Sequence, residues 1–224
     1  MKIYKLDKAV LSVTNNPAQF LNGLTSNTAD KSKNAFLDVH GKIIATFDQI
    51  KIAEDEFLIL IERLFVEAVL KHLERFVKLS KVVIQEKDFL VYFDLENNYK
   101  CSGEEWSIPQ KKGQLIITRK ILGNTITDEE FTLFRLRNNL PVHGIDYQNE
   151  MLLNVDENEF VSYTKGCFLG QELVAKVHNR SSPTWKLVVK YSDDQSSEQR
   201  QPMTSVTADP STGKKFGFAF VKNE

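Results

Sequence analysis

The chain has 224 residues, of which 42% are hydrophobic and 26% charged, a length and composition that suit one large domain or two small ones and exclude a disordered tail protein. The 29 Lys and Arg residues nearly cancel the 30 Asp and Glu residues, so a net charge of -1 provides no overall attraction to nucleic acid or an anionic membrane. No apolar stretch approaches the ~20 residues that cross a bilayer, and the first residues lack the pattern of a secretory signal. We therefore expect a cytoplasmic protein that has no membrane segment and does not bind nucleic acid directly.

Two cysteines, Cys101 and Cys167, lie far apart in the sequence. They match neither a disulfide framework nor a CxxC pair. Because a cluster held by one chain usually needs four thiolates, we predict no self-contained metal site.

The first helix is predicted to start at Asn15-Asn16-Pro17, since an Asn side chain can cap free amides and Pro is tolerated in the first turn. Phe20, Leu21 and Leu24 would form its buried stripe. A second, longer helix is expected over roughly Arg63 to Leu79, where apolar residues recur every three or four positions.

The sequence pattern predicts strands both before and after the second helix. They are predicted at Ala35–Asp38, Lys42–Ile52, Phe57–Ile61, Val82–Gln85, Phe89–Leu95 and Leu115–Thr118. The stretch from Glu96 to Lys112 is polar and is predicted to be irregular. Antiparallel strands with packed helices indicate the α+β class.

The last third of the chain combines a helix with further strands. Thr127 to Glu130 has the spacing of a capping box and predicts a helix over about Asp128 to Asn138. A boundary is expected after Arg180. Beyond it we predict a strand at Trp185–Tyr191 and a hairpin that pairs Met203–Thr207 with Lys215–Val221, with Phe216, Phe218 and Phe220 on one face.

The most informative segment is the octapeptide Lys165-Gly166-Cys167-Phe168-Leu169-Gly170-Gln171-Glu172, followed by a helical pattern. Two glycines around a cysteine suit a tight turn that leads into a helix. The helix dipole and the Lys165 ammonium would favour a thiolate at Cys167, and Gln171 and Glu172 would hold the loop in shape. A second interpretation stays open, in which Cys167 is a small buried apolar residue and Glu172 only a cap.

Charge is distributed unevenly around this octapeptide. Between Lys165 and Lys190 there are five basic residues and one acid, Glu172, whereas Asp146 to Glu159 contains five acids and no base. An anionic ligand would prefer the basic side. The alternative is that these charges form a solvated surface.

The octapeptide matches K-G-C-[FY]-x-G-Q-E, and the chain resembles the YgfZ-type folate-binding proteins, relatives of the glycine-cleavage T protein. Further similar segments follow in the same order as in that family. They are Ala18 to Thr25, Gly41 to Ile44, Arg135 to Asp146, Thr204 to Val206 and Gly217 to Ala219. The resemblance thus extends over essentially the whole chain.

This resemblance implies a T protein-like α+β fold in two parts. Residues 1–180 would form the folate-binding region of two interleaved α+β subdomains. Residues 181–224 would form a short, trimmed C-terminal β-barrel.

The resemblance also implies a tetrahydrofolate-binding accessory protein for assembly or repair of iron–sulfur clusters, which indirectly supports tRNA modification. Its partners would be folate and iron–sulfur assembly proteins or cluster-carrying client enzymes. Cys167 would be the reactive thiol of the signature octapeptide. The other signature residues would be Lys165, Gly166, Phe168, Gly170, Gln171 and Glu172. Arg135, Lys176 and Arg180 would bind the glutamate tail of folate.

A folate-dependent one-carbon transferase is the alternative function. The T protein supplies an acidic residue at the positions that correspond to Ala45 and Thr46, and neither of these side chains accepts a proton near neutral pH. Arg137 likewise stands where the family carries a glutamate. We therefore favour a maturation factor over a classical enzyme.

Overall fold

The largest sheet has five antiparallel strands in the computed structural model, which describes residues 1–180, 182–194 and 198–223, apart from the side chain of Arg180. In spatial order the strands are β3 (Lys33–Leu37), β4 (Ile43–Ala53), β5 (Glu56–Glu62), β2 (Lys8–Thr14) and β6 (Val83–Lys87). One face is covered by α1 (Pro17–Leu24) and α2 (Val66–Ser80), which follows a 3₁₀ turn at Arg63–Phe65. Residues such as Leu11, Leu21 and Leu73 are fully buried between these layers.

A second antiparallel sheet packs on the opposite face of the first. Its order is β1 (Ile3–Leu6), β7 (Leu90–Asp94), β9 (Gln114–Thr118) and β8 (Trp106–Pro109). Val10 and Leu58 of the large sheet contact Val91 and Ile117 of this one within a single apolar cluster. The large sheet is therefore buried on both faces, which explains its long apolar strands.

The remaining elements pack around the edge of these two sheets. They are α3 (Asp128–Arg137), a 3₁₀ turn at Leu152–Asn154, the short α4 (Glu157–Phe160), α5 (Gln171–Arg180) and a third sheet of β10 (Trp185–Tyr191), β12 (Lys215–Lys222) and β11 (Thr204–Ala208). Phe216, Phe218 and Phe220 are buried together with Val174 of α5 and Leu37 of β3. The third sheet thus shares a core with α5, the helix that begins at the end of the octapeptide.

The prediction of mixed helices and antiparallel sheets is confirmed, and the capping box of Thr127 and Glu130 is present with both of its hydrogen bonds. The small C-terminal barrel is not confirmed. In the described part of residues 181–224, β10 and β11 each pair with β12 and not with each other, so the sheet is open.

Three local features differ from the sequence prediction. The strands β1 and β2 were not predicted. The strand β8 forms inside the segment predicted to be irregular, because its hydrogen bonds are made with β9 and do not depend on a local preference for strand. Asn16 does not cap α1 with its side chain. Its backbone adopts a left-handed conformation, and its backbone amide donates to the Asp55 carboxylate instead.

A buried ion pair between Arg135 and Asp146 joins three parts of this fold. The guanidinium Nη1 donates to Asp146 Oδ2 at 2.6 Å, and the side chains are 6% and 0% exposed. Nη2 also donates to Ser205 Oγ, and Asp146 accepts further bonds from the Val142 amide and the Thr204 hydroxyl. The pair therefore ties α3 to the 140–147 loop and to β11.

We expect Arg135→Met to lower the free energy of unfolding by about 3–5 kcal/mol, because it leaves the Asp146 carboxylate buried without its counter-charge. Urea denaturation measures the loss. Arg137→Met on the same helix is the matched control, since Arg137 is 52% exposed and its ion pair with Asp209 is worth at most about 1 kcal/mol. Equal losses in the two variants would contradict the assignment of Arg135 as the structural link.

Candidate functional site

The signature loop, residues 165–170, is anchored at its start by Lys165. The ammonium of Lys165 donates to the backbone carbonyls of Thr25 and Asn27, at 2.5 and 2.7 Å. Burial lowers the pKa of Lys165 to about 8. Two of the three donors of this ammonium are thus used to attach the loop to the segment after α1.

The other end of the loop is fixed by a close backbone approach at Gly170. Its φ is +84°, and a Cβ atom there would lie 2.3 Å from the carbonyl oxygen of Asp38 and 3.1 Å from Leu37. Only glycine fits this combination of conformation and space. The Phe168 amide also donates to the side-chain oxygen of Gln171 at 3.1 Å, which closes the turn at the start of α5.

Cys167 is exposed between these two anchors, next to the exposed Gly166. Phe168 is half-buried against the cluster that includes Val174, while Glu172 is exposed in the first turn of α5. Cys101 is half-buried elsewhere, and burial raises the pKa of its thiol. Cys167 is therefore the accessible thiol on a loop with a fixed backbone.

A central cavity lies where the two large sheets meet α3, α4 and the 140–147 loop. One wall is apolar and contains Phe93, Leu115, Phe131, Leu140 and Val142, and another is charged. Such a combination suits a planar ligand with a few polar groups.

The charged wall is an ion-pair network around Lys8 and Asp48. Lys8 Nζ lies 2.6 Å from Glu62 and 3.7 Å from Asp48, and Asp48 also accepts a hydrogen bond from Gln110 at 3.0 Å. Burial by itself lowers the pKa of Lys8, but the two carboxylates more than offset this, so its pKa is raised. Lys33 connects Asp48 to Glu159, with distances of 3.9 and 3.5 Å, and Lys33 and Glu159 also line a second, more open pocket.

Aromatic and hydroxyl groups complete the cavity. The hydroxyls of Thr46 and Tyr147 are 2.7 Å apart, and the ring of His143 stacks between Phe65 and Tyr147, with centroid separations of 3.7 and 5.1 Å. Burial lowers the pKa of His143 to about 3, and the charge of Lys8 adds to this effect. The imidazole is therefore neutral at physiological pH.

The structure separates the predicted tail-binding residues. Arg135 lines the cavity, but its guanidinium is already bound to Asp146 and Ser205. Lys176 is exposed on α5 and is not among the residues that line the cavity. The side chain of Arg180 lies outside the described part of the chain.

Several cavity residues were missed by sequence reasoning. They are Lys8, Asp48, Glu62, Gln110, His143 and Tyr147. One signal was available, because Asp48 directly follows Phe47 in the middle of a predicted strand, and an acid buried there requires a partner. The others come from distant segments whose proximity depends on the fold.

Neither a metal cluster nor a membrane span is evident in the described residues. No group of three or more His, Cys, Asp or Glu side chains in them could hold a metal ion. Within the same residues, no helix is long and apolar enough to cross a bilayer.

Comparison with solved structures identifies the fold. The chain superimposes on the aminomethyltransferase T of the glycine cleavage system from Bartonella henselae with a TM-score of 0.73, over 99% of this chain and 78% of that one, at 12% identity. The chain has the T-protein fold. This likeness, at such low identity, concerns the fold alone.

Comparison with curated sequences gives two weaker similarities. The chain is 25% identical over 179 residues to an uncharacterized protein from Haemophilus influenzae, and 26% identical over 156 residues to the mitochondrial iron-sulfur cluster assembly factor IBA57 homolog of Dictyostelium discoideum. These matches cover 76% and 55% of this chain, but only 61% and 38% of the two relatives. No family model matches the chain.

We expect Gly170→Ala to destabilise the protein by roughly 2 kcal/mol or more and to loosen the signature loop, because the Cβ would be strained at this φ and would overlap the Asp38 carbonyl. Urea denaturation and the rate of proteolysis at residues 165–170 measure the two effects. Gly166→Ala is the matched control in the same loop, since no atom lies within 4 Å of its Cβ position. A neutral Gly170→Ala would show that the loop is not held there.

Proposed function

We propose that this protein is a tetrahydrofolate-binding accessory factor for the assembly or repair of iron–sulfur clusters, of the YgfZ type, in the cytoplasm. Cys167 is its reactive thiol, and the central cavity is its folate site. Its partners are cluster-assembly proteins or cluster-carrying client enzymes, through which it indirectly sustains tRNA modification.

The observation that carries this proposal is the exposed thiol of Cys167 on a loop anchored by Lys165 and Gly170. A fixed, accessible thiol can donate one ligand to a cluster shared with another protein. The curated relative named as an iron-sulfur cluster assembly factor supports the same role.

The central cavity supports the folate part of the proposal. Its aromatic and aliphatic wall can accept the flat face of a pterin, while Asp48 and Gln110 provide polar anchors at its edge. We expect a dissociation constant in the micromolar range, which corresponds to about -8 kcal/mol.

The cavity does not favour the one-carbon transferase. Ala45 is fully buried, and the Thr46 hydroxyl is hydrogen-bonded to Tyr147. Asp48, the nearest acid along β4, already pairs with Lys8 and Lys33 and accepts a hydrogen bond from Gln110.

We expect Cys167→Ala to abolish rescue of iron–sulfur enzyme activity in cells that lack this protein, with its melting temperature nearly unchanged because the side chain is exposed. Cys101→Ala is the matched control and should rescue fully. Enzyme activity is measured in lysates with equal amounts of the variants. Full rescue by Cys167→Ala would overturn the role of this thiol.

A further inference from the structure

His143 stands out among the buried polar side chains. Its residue is only 3% exposed, and neither Nδ1 nor Nε2 has a hydrogen-bond partner. Buried polar atoms without a partner are uncommon in native proteins, since leaving them unpaired costs free energy. A neutral imidazole offers one donor and one acceptor, so both functions of this ring are unused.

Two other side chains in the described residues also have an unpaired buried atom, but they differ from His143. Gln49 leaves one oxygen unpaired while its amide nitrogen donates to three backbone carbonyls. His72 is only half-buried on α2. His143 alone of the three lines the central cavity.

The surrounding loop holds the His143 ring in a fixed place. The Gly144 amide donates to the Tyr147 carbonyl, and the Val142 amide donates to the Asp146 carboxylate that pairs with Arg135. Gly144 is packed closely on Phe65, and the imidazole stacks on the same phenyl ring with an interplanar angle of 9°. This rigidity means that the ring cannot easily turn away to find another partner.

We propose that His143 is a specificity-determining residue of the central cavity, where it forms a hydrogen bond with the edge of a neutral nitrogen heterocycle. This proposal rests on the proposed function and refines it, because it assigns the pterin ring, and not the anionic tail, to the part of the cavity around His143.

The electrostatic surroundings favour a heterocycle over a carboxylate at this position. A neutral imidazole has no charge to attract an anion, and the lining of the cavity also contains the carboxylates of Asp48, Glu62 and Glu159. The stacked rings of Phe65 and Tyr147 and the apolar wall near Phe131 provide a dry environment in which one hydrogen bond discriminates strongly between ligands.

The test compares ligand affinity in two His→Phe variants. His143→Phe keeps an aromatic ring beside Phe65 and removes both nitrogens. His178→Phe is the matched control, because His178 also stacks on an aromatic ring, that of Tyr163 at 3.7 Å, but does not line the cavity. Calorimetry is carried out with tetrahydrofolate and with tetrahydropterin, which lacks the tail.

We expect His143→Phe to weaken the binding of both ligands about tenfold or more without lowering the melting temperature, and His178→Phe to bind like the unaltered protein. A second measurement does not depend on a variant. The chain has four histidines, so ¹⁵N-labelled imidazoles give a simple spectrum, and the His143 resonances should shift when tetrahydropterin is added.

Different outcomes separate this proposal from the proposed function. If the unaltered protein binds tetrahydrofolate but His143→Phe binds equally well and the imidazole resonances do not move, the role of His143 is overturned while the folate site stands. If His143→Phe weakens tetrahydrofolate but not tetrahydropterin, the contact is with the tail and the assignment to the heterocycle is wrong. Absence of tetrahydrofolate binding to the unaltered protein would contradict both.

Discussion

The Arg135–Asp146 pair is the interaction on which the other features of the structure depend. It lies where α3, the 140–147 loop and β11 meet, and all of its charge is compensated inside the protein. A buried ion pair adds little net stability compared with apolar packing, but removal of one partner leaves an uncompensated buried charge and is strongly destabilising. Here the pair fixes the loop that carries His143 and Tyr147 into the cavity. Arg135 is thus better understood as a structural residue than as part of a ligand-binding rim.

The signature loop and the cavity are linked through the large sheet. Gly170 rests on the carbonyl of Asp38 at the β3–β4 turn, and β4 then carries Thr46 and Asp48 along the cavity wall. Lys165 attaches the same loop to the segment that follows α1. A displacement of β3 or β4 would therefore also act on the backbone that carries Cys167.

Local patterns predicted much of the secondary structure. The bounds of β10 are those expected from the sequence, and the capping box at Thr127 gave the start of α3. These features depend on neighbouring residues only. In contrast, β8 forms because β9 pairs with it, and Asn16 fails to cap because Asp55 binds its amide from another turn. The same contrast holds for the candidate site. A contiguous octapeptide indicated Cys167, whereas Lys8, Asp48 and His143 come from distant segments that meet only after folding.

The most direct test of the account is the reactivation of an enzyme whose iron–sulfur cluster has been damaged, measured anaerobically with iron, sulfide and this protein, with and without tetrahydrofolate. The account predicts that the activity of the client enzyme recovers substantially faster when the protein and tetrahydrofolate are both present than with either alone, and that Cys167→Ala removes this gain. Recovery at the same rate without the protein or without tetrahydrofolate would contradict it.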